Sequence, residues 1–281
     1  KSVQVTPQHA ENRRQFLITN ALKMFYRARG YFNGTLNGEP FRLDPYHSKF
    51  WRKASAGKWE PETFDVLDRH LSPDRDYIDI GAWAGATVLY AARRARHVWC
   101  FEPDPVAFRY LNWNLELNNI RNVTAFGVAL WTSTGVLRMS SLGGEAGDSM
   151  TSVLAEPENG TDVISLGWDQ FAQQVDLSRV SLVKMDVEGA EFSLIPALAP
   201  WLRAHQPALY LSTHAPFLAA DARTASMRLL ADELSLFDTC TLDGQPRTLS
   251  EAFVSERAIT QFPSFLINGG HKGDQENRPP F

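Results

Sequence analysis

Tyr77-Ile78-Asp79-Ile80-Gly81-Ala82-Trp83-Ala84-Gly85-Ala86-Thr87 leads directly into the helix-compatible run Val88 to Ala92. A short apolar run, a glycine turn and a helix start form one unit. The turn lets backbone approach a ligand closely, and the new helix offers free amide groups beside it. This is the pattern of a nucleotide-type site. Its spacing, Asp-x-Gly-x-x-x-Gly, lacks the three glycines of the dinucleotide fingerprint, so a pyrophosphate is not the obvious guest. Taken alone, the segment is also compatible with an ordinary strand-to-helix turn.

Downstream, Val98-Trp99-Cys100-Phe101 ends in Glu102, about twenty residues after the glycine turn, where an acidic side chain typically accepts hydrogen bonds from ribose hydroxyls. The alternative is a solvated residue at a strand end. Asp104 and Pro105 then suit the cap and first turn of a helix that carries Val106, Leu111, Leu115 and Leu117. Further short apolar runs, Val123 to Phe126, Leu182 to Met185 and Leu209 to Leu211, alternate with helical segments. That alternation predicts a parallel sheet with helical crossovers. Val136 to Met139 and Val163 to Leu166 are further strand candidates, separated by the polar, Gly-rich stretch Ser140 to Ser149, which has the composition of a loop or lid. A helix is expected around Arg223 to Leu236, with Phe237 to Leu242 and Ser264 to Ile267 as an antiparallel closing pair at the sheet edge. Upstream, a leading helix is expected from Gln8 to Arg29, and Tyr31 to Leu43, with Asn33-Gly34 and Asn37-Gly38 able to supply positive backbone angles, reads as a small hairpin or looped excursion, an appendage to the core. Glu60-Pro61-Glu62-Thr63 marks the start of the helix that enters the sheet. The expected division is an extension at 1–58, a main domain at 59–270 and a tail at 271–281, disordered after Asn268.

Lys and Arg number 28 against 32 Asp and Glu, a formal charge of -4, which argues against a nucleic-acid partner. The basic cluster Arg93, Arg94, Arg96 and His97 falls where a helix should end, where it complements the helix dipole. Cys100 and Cys240 are the only cysteines, and Cys100 lies in a strand-like run. This suits a buried free thiol and a reducing, cytoplasmic location. No apolar run approaches the ~20 residues of a membrane span, so no membrane partner is expected, and no oligomeric state is read from the sequence.

At these residues the chain resembles the FkbM family of S-adenosylmethionine-dependent methyltransferases, which pairs an Asp-x-Gly-Ala turn with a Phe-Glu-Pro strand end. Asn114 to Asn118 is similar to that family's Asn-Leu-x-Leu-Asn helix end, and Val128 to Leu137 to its Ala-containing strand end with a later Gly. Lys184-Met185-Asp186-Val187-Glu188-Gly189-Ala190-Glu191 is similar to its most distinctive motif. The resemblance covers Trp59 to Leu211. It implies an α/β fold: a Rossmann-like, seven-stranded class I methyltransferase sheet with helices on both faces, here preceded by an N-terminal helical extension. It implies S-adenosyl-L-methionine as cofactor, with Asp79, Gly81 and Gly85 around the methionine moiety, and Ala82 and Thr87 in the same turn. Glu102 would hold the ribose beside Pro103, and Ala129 and Leu130 would flank adenine, although simple strand-end packing also explains Ala129. Trp59 and Glu60 would close over the methionine end or anchor the entry helix.

Methyl transfer needs alignment more than catalytic groups, because the cofactor supplies the electrophile. A hydroxyl acceptor still calls for a base. Asp186 and Glu188 follow the fourth strand and His214 the fifth, at the ligand-facing end of the sheet. His214 is the expected base, with Asp186 or Glu188 orienting it or the acceptor. The competing reading makes Glu188 and Glu191 helix-start acids. A carboxylate pair with a histidine can also hold a divalent metal, but the expectation is a site without one, since no dedicated ligand loop is present. His9, His47, His70, His97, His205 and His271 receive no role. The resemblance implies O-methylation of a small molecule or carbohydrate. The rivals are an NAD-dependent oxidoreductase, against which the missing third glycine counts, and a non-catalytic nucleotide-binding protein.

Overall fold

The computed structural model describes residues 20–141, 151–152 and 160–268. The start of the leading helix, nearly all of the Ser140 to Ser149 stretch and the tail after Asn268 therefore lie outside the described residues. The chain enters through α1 (residues 20–29), the hairpin β1 (Phe32–Leu36) and β2 (Glu39–Leu43), and the helices α2 (Ser48–Ser55) and α3 (Pro61–His70). It continues through β3 (Asp76–Ile80), α4 (Ala86–Ala92), β4 (His97–Phe101), α5 (Pro105–Leu117) and β5 (Val123–Phe126). An excursion follows: β6 (Ala129–Trp131), β7 (Gly135–Ser141), β8 (Thr151–Ser152), β9 (Thr161–Gly167) and α6 (Trp168–Gln174). The chain returns with β10 (Val180–Met185), α7 (Glu191–His205), β11 (Ala208–Ser212), a 3-10 turn at Ala215–Phe217 and α8 (Arg223–Glu233). It closes with β12 (Thr239–Leu242), β13 (Gln245–Thr248), α9 (Leu249–Phe253), α10 (Glu256–Thr260) and β14 (Ser264–Ile267).

The main sheet runs β13-β12-β14-β11-β10-β3-β4-β5. The five expected core strands pair in parallel, and β14 lies antiparallel between β11 and β12, the closing arrangement that the sequence predicts. These seven strands form the Rossmann-like sheet, and β13 adds a short eighth strand at the edge. Side chains alternate across it with the period of two. Ile78, Ile80, Val183, Met185, Leu209 and Leu211 enter the core under α7 and α8. Tyr77, Val98, Cys100, Leu182 and Tyr210 enter the core under the helices of the opposite face. Val136 to Met139 and Val163 to Leu166 do not join this sheet. They form a separate one, ordered β6-β9-β7-β8, in which Val136 and Ile164 remain exposed.

The hairpin forms as expected, turning at Asn37 and Gly38 with φ of 45° and 81°. Asn33-Gly34 is not a turn but part of β1, where a Cβ on Gly34 would meet Leu43 and Ser55 side-chain atoms at 2.8 Å. Nor is the segment an appendage. Phe32, Leu36, Phe41, Leu43 and Trp51 are buried in the same core as Tyr77, Leu89 and Leu111. Asp104 caps α5 through Val106 and Ala107 N–H. The three arginines of the basic cluster pair with carboxylates: Arg93 and Arg94 with Glu39, Arg94 also with Asp68, and Arg96 with buried Asp76. Cys100 and Cys240 are buried free thiols. Among the described residues no helix is long and apolar enough to cross a membrane.

Candidate active site

The glycine turn, the end of β4 and the loop after β10 meet around a cavity of about 370 Å³. Of the expected cofactor residues, Gly81, Ala82, Thr87, Glu102, Pro103, Ala129 and Leu130 lie on its wall. Two do not. Asp79 is fully buried and accepts hydrogen bonds from the Tyr77 and Thr87 hydroxyls. Gly85, with φ 89°, packs away from the cavity, and a Cβ there would strike Leu111 of α5. Its missing side chain serves helix packing. Gly81, with φ 88°, is pressed against the Asp186 carbonyl, which a Cβ would overlap at 1.9 Å. The first turn is thereby fixed against the loop after β10.

Glu102 supplies the clearest recognition element. One carboxylate oxygen accepts Trp83 N–H at 2.7 Å and the other accepts Asp104 N–H at 2.8 Å. Each oxygen keeps a further lone pair for a ligand hydroxyl. Burial pushes its pKa up to about 7, against the opposing effect of the two backbone hydrogen bonds. Trp59 also lines this cavity, and Phe50 stacks edge-on with both Trp59 and Trp83 at 5.1 and 4.6 Å. Trp59 thus lines the wall and anchors the segment before α3 at once. Non-glycine residues rarely hold left-handed backbone, yet Glu60, Trp83 and Glu188 do so here, with φ of 40°, 47° and 49°, and all three line the cavity.

Asp186, Glu188 and His214 converge as expected, because β10 and β11 are parallel neighbours that end together. His214 Nε2 lies 3.5 Å from Asp186 Oδ1 and 3.3 Å from Glu188 Oε2. Two residues to which the sequence reading gave no catalytic part complete the cluster. Glu191, fully buried, accepts His214 N–H at 2.6 Å and Gly189 N–H at 2.9 Å, and faces His214 Nδ1 at 3.3 Å. Lys184, nearly buried in β10, places Nζ 3.6 Å from Asp79 and 3.7 Å from Asp186. A lysine inside a mostly apolar strand is itself a signal, since lysine is almost never buried unpaired.

The electrostatics follow from this packing. Burial disfavours a charged His214, but the Glu191 hydrogen bond and the carboxylates of Glu191, Asp186 and Glu188 outweigh it, pushing the imidazole up to about 9. Burial likewise opposes the Lys184 charge, and Asp79, Asp186 and Glu60 more than offset it, so its pKa is raised. Burial raises Asp79 despite Lys184, and burial together with Asp186 raises Glu60. Asp186, Glu188 and His214 offer ligand-type atoms within 4.8 Å of one another, so the trio has the donor set for a divalent cation.

A sheet of these seven strands, parallel but for β14, with a glycine turn after β3 and an acidic residue closing β4, is the class I methyltransferase fold. The chain belongs to the FkbM methyltransferase family, whose domain model matches residues 79–232. It is similar to Methyltransferase 1 of Beauveria bassiana, 28% identical over 148 residues, which are 45% of this chain and 59% of that protein. A solved FkbM methyltransferase from Methylobacillus flagellatus is 18% identical with a TM-score of 0.42, over 69% of this chain and 44% of that one. A Streptococcus mutans protein solved in complex with SAH is 12% identical with a TM-score of 0.42, over 74% and 96% of the two chains. The chain thus spans 59% of the curated relative's length.

Proposed function

We propose that the protein is an S-adenosylmethionine-dependent methyltransferase that O-methylates a hydroxyl of a small molecule or carbohydrate. The observation that carries this reading is Glu102, a buried carboxylate on the cavity wall, held by the backbone of the glycine-turn segment and open to a vicinal pair of hydroxyls. Glu102 would hold the ribose, Ala129 and Leu130 the adenine edge, and Gly81, Ala82 and Thr87 the amino-acid end. When bound, S-adenosylmethionine supplies an electrophilic methyl group on a sulfonium sulfur.

The cluster around His214 handles the proton of the acceptor. As an imidazolium, His214 is not free to accept one at neutral pH, which moves the base role away from the expected residue. The Asp186–Glu188 pair takes the proton, and His214 and Lys184 hold the two carboxylates in place. Glu191 fixes the ring. This division follows from the three carboxylates facing one imidazole. The overall negative charge favours a small acceptor over a nucleic acid, and the two buried thiols suit a cytoplasmic setting.

Calorimetric titration of S-adenosylmethionine, S-adenosylhomocysteine and NAD into the purified protein tests the reading. Micromolar binding of the two adenosyl-sulfur ligands without NAD is expected. Binding of NAD alone would replace the methyltransferase by an oxidoreductase, and cofactor binding without transfer to any hydroxyl acceptor would leave a nucleotide-binding protein.

A further inference from the structure

A second cavity, of about 870 Å³, opens on the other side of the same carboxylates. Glu60, Asp186 and Glu188 line both cavities and form the wall between them. The second is floored by the ends of β11 and β14, where Ser212 and Ser264 hydroxyls meet at 2.9 Å. One side is aromatic. Phe217 and Phe262 lie 5.0 Å apart, each within 5.6 Å of the His214 ring, and Phe262 is 52% exposed. The remaining wall is acidic: Glu62 and Asp65 of α3 and Asp243 join the three shared carboxylates. Against these six acids stand Arg69, Arg257 and His214, and Arg257 is already paired with Asp243 at 2.7 Å.

We infer that this second cavity is the acceptor site and that it takes a polyhydroxylated ring without anionic groups, a neutral or amino sugar, laid against Phe262 and Phe217. The inference rests on the methyltransferase reading. An apolar ring face covers the C–H face of a saccharide, while carboxylates and serine hydroxyls on the other walls accept its hydroxyl protons. The surplus of acids repels phosphate or carboxylate groups and favours an ammonium. A ring seated there presents a hydroxyl to Asp186 and Glu188, with the first cavity directly behind them.

Saturation-transfer NMR on the protein loaded with S-adenosylhomocysteine tests this with methyl glucoside, glucosamine, glucuronate and glucose 6-phosphate as probes. The first two are expected to bind, and the two anions about tenfold more weakly. Phe262→Ala should weaken methyl glucoside about fivefold without changing S-adenosylhomocysteine affinity. Glu62→Lys with Asp65→Lys, both on the exposed face of α3, should admit glucuronate. Anions binding as well as the neutral sugar, an unchanged affinity in Phe262→Ala, or no saccharide binding to the loaded protein would each overturn the inference. Failure of S-adenosylhomocysteine itself to bind would instead remove the methyltransferase reading on which it stands.

Discussion

Replacing His214 by glutamine removes a charge but keeps a side chain able to donate to Glu191, and the consequence can be worked from the cluster. Raising an imidazole from 6.5 to about 9 corresponds to about 3 kcal/mol of folding free energy. The sign follows from linkage. The folded state binds the proton more tightly than the unfolded chain, so this contribution is fully present below about pH 6.5 and is lost as pH rises through about 9. Within that window wild-type stability should fall at about 1.4 kcal/mol per pH unit on account of this one group. Urea unfolding of wild type and His214→Gln at about pH 6 and about pH 9.5 gives the difference, because titrating groups outside the cluster cancel between the two proteins. The wild-type advantage should shrink by about 3 kcal/mol between the two conditions. An advantage that does not vary with pH would refute the imidazolium assignment, and with it the argument that moves the base role to Asp186 and Glu188.

Glu102 gives a second pH dependence of opposite sense. Its carboxyl titrates at about 7 and only the ionised form accepts two hydroxyl protons. Affinity for methylthioadenosine, which has no amino-acid end to titrate, should therefore weaken up to tenfold per pH unit below about 7. Glu102→Gln should abolish that dependence in calorimetry. Gly81→Ala sets a left-handed backbone and a Cβ overlapping the Asp186 carbonyl against folding. It should cost several kcal/mol, whereas Gly30→Ala, also left-handed but with nothing within 4 Å, should cost about 1 kcal/mol; equal urea midpoints for the two variants would contradict the close approach. Chelator treatment should leave transfer unchanged, since the sulfonium cofactor already supplies the electrophile and methyl transfer does not demand a metal. A loss restored by Mg²⁺ would make Asp186, Glu188 and His214 a metal site.

The parts of the molecule that were legible in the sequence are those whose cause is local. The glycine turn, the Asp104 cap, the Asn37-Gly38 hairpin turn and the five parallel strands each announce themselves within a few residues. The convergence of Asp186, Glu188 and His214 was legible too, because the order of neighbouring strands in a parallel sheet is itself predictable. What stayed hidden depends on partners distant in the chain. Glu191 reads as one more acidic residue at a helix start, and only the fold places it against His214. The same contact helps to raise the pKa of the expected base. Asp79 reads as a cofactor contact but is held below the cavity by Tyr77, Thr87 and Lys184. The excursion from β6 to β9 is legible only as strands, since they alternate like those of a half-buried sheet and nothing local says which sheet they join.

The segment before α3 shows how a motif can be recognised without its reason being visible. In the sequence Asn114 and Asn118 read only as a family-like helix end, and the hairpin before them as an appendage. In the structure these two asparagines add polar ties between the end of the hairpin and the glycine turn. Asn118 forms a reciprocal pair with the backbone of Arg42, donating to its carbonyl at 2.7 Å and accepting its N–H at 3.0 Å. Asn114 donates to the Ala84 carbonyl at 2.9 Å inside the glycine turn and accepts Asp44 N–H at 2.6 Å. Asp44 in turn is fully buried and accepts the Trp51 indole N–H at 2.8 Å and the His47 N–H at 2.9 Å. A buried carboxylate is tolerated only when its lone pairs are used, so the chain from Trp51 through Asp44 and Asn114 to Ala84 behaves as one unit. It fixes α2, and with it Phe50, which stacks on Trp59 and Trp83. The hairpin and α2 therefore set the position of the first cavity's aromatic wall.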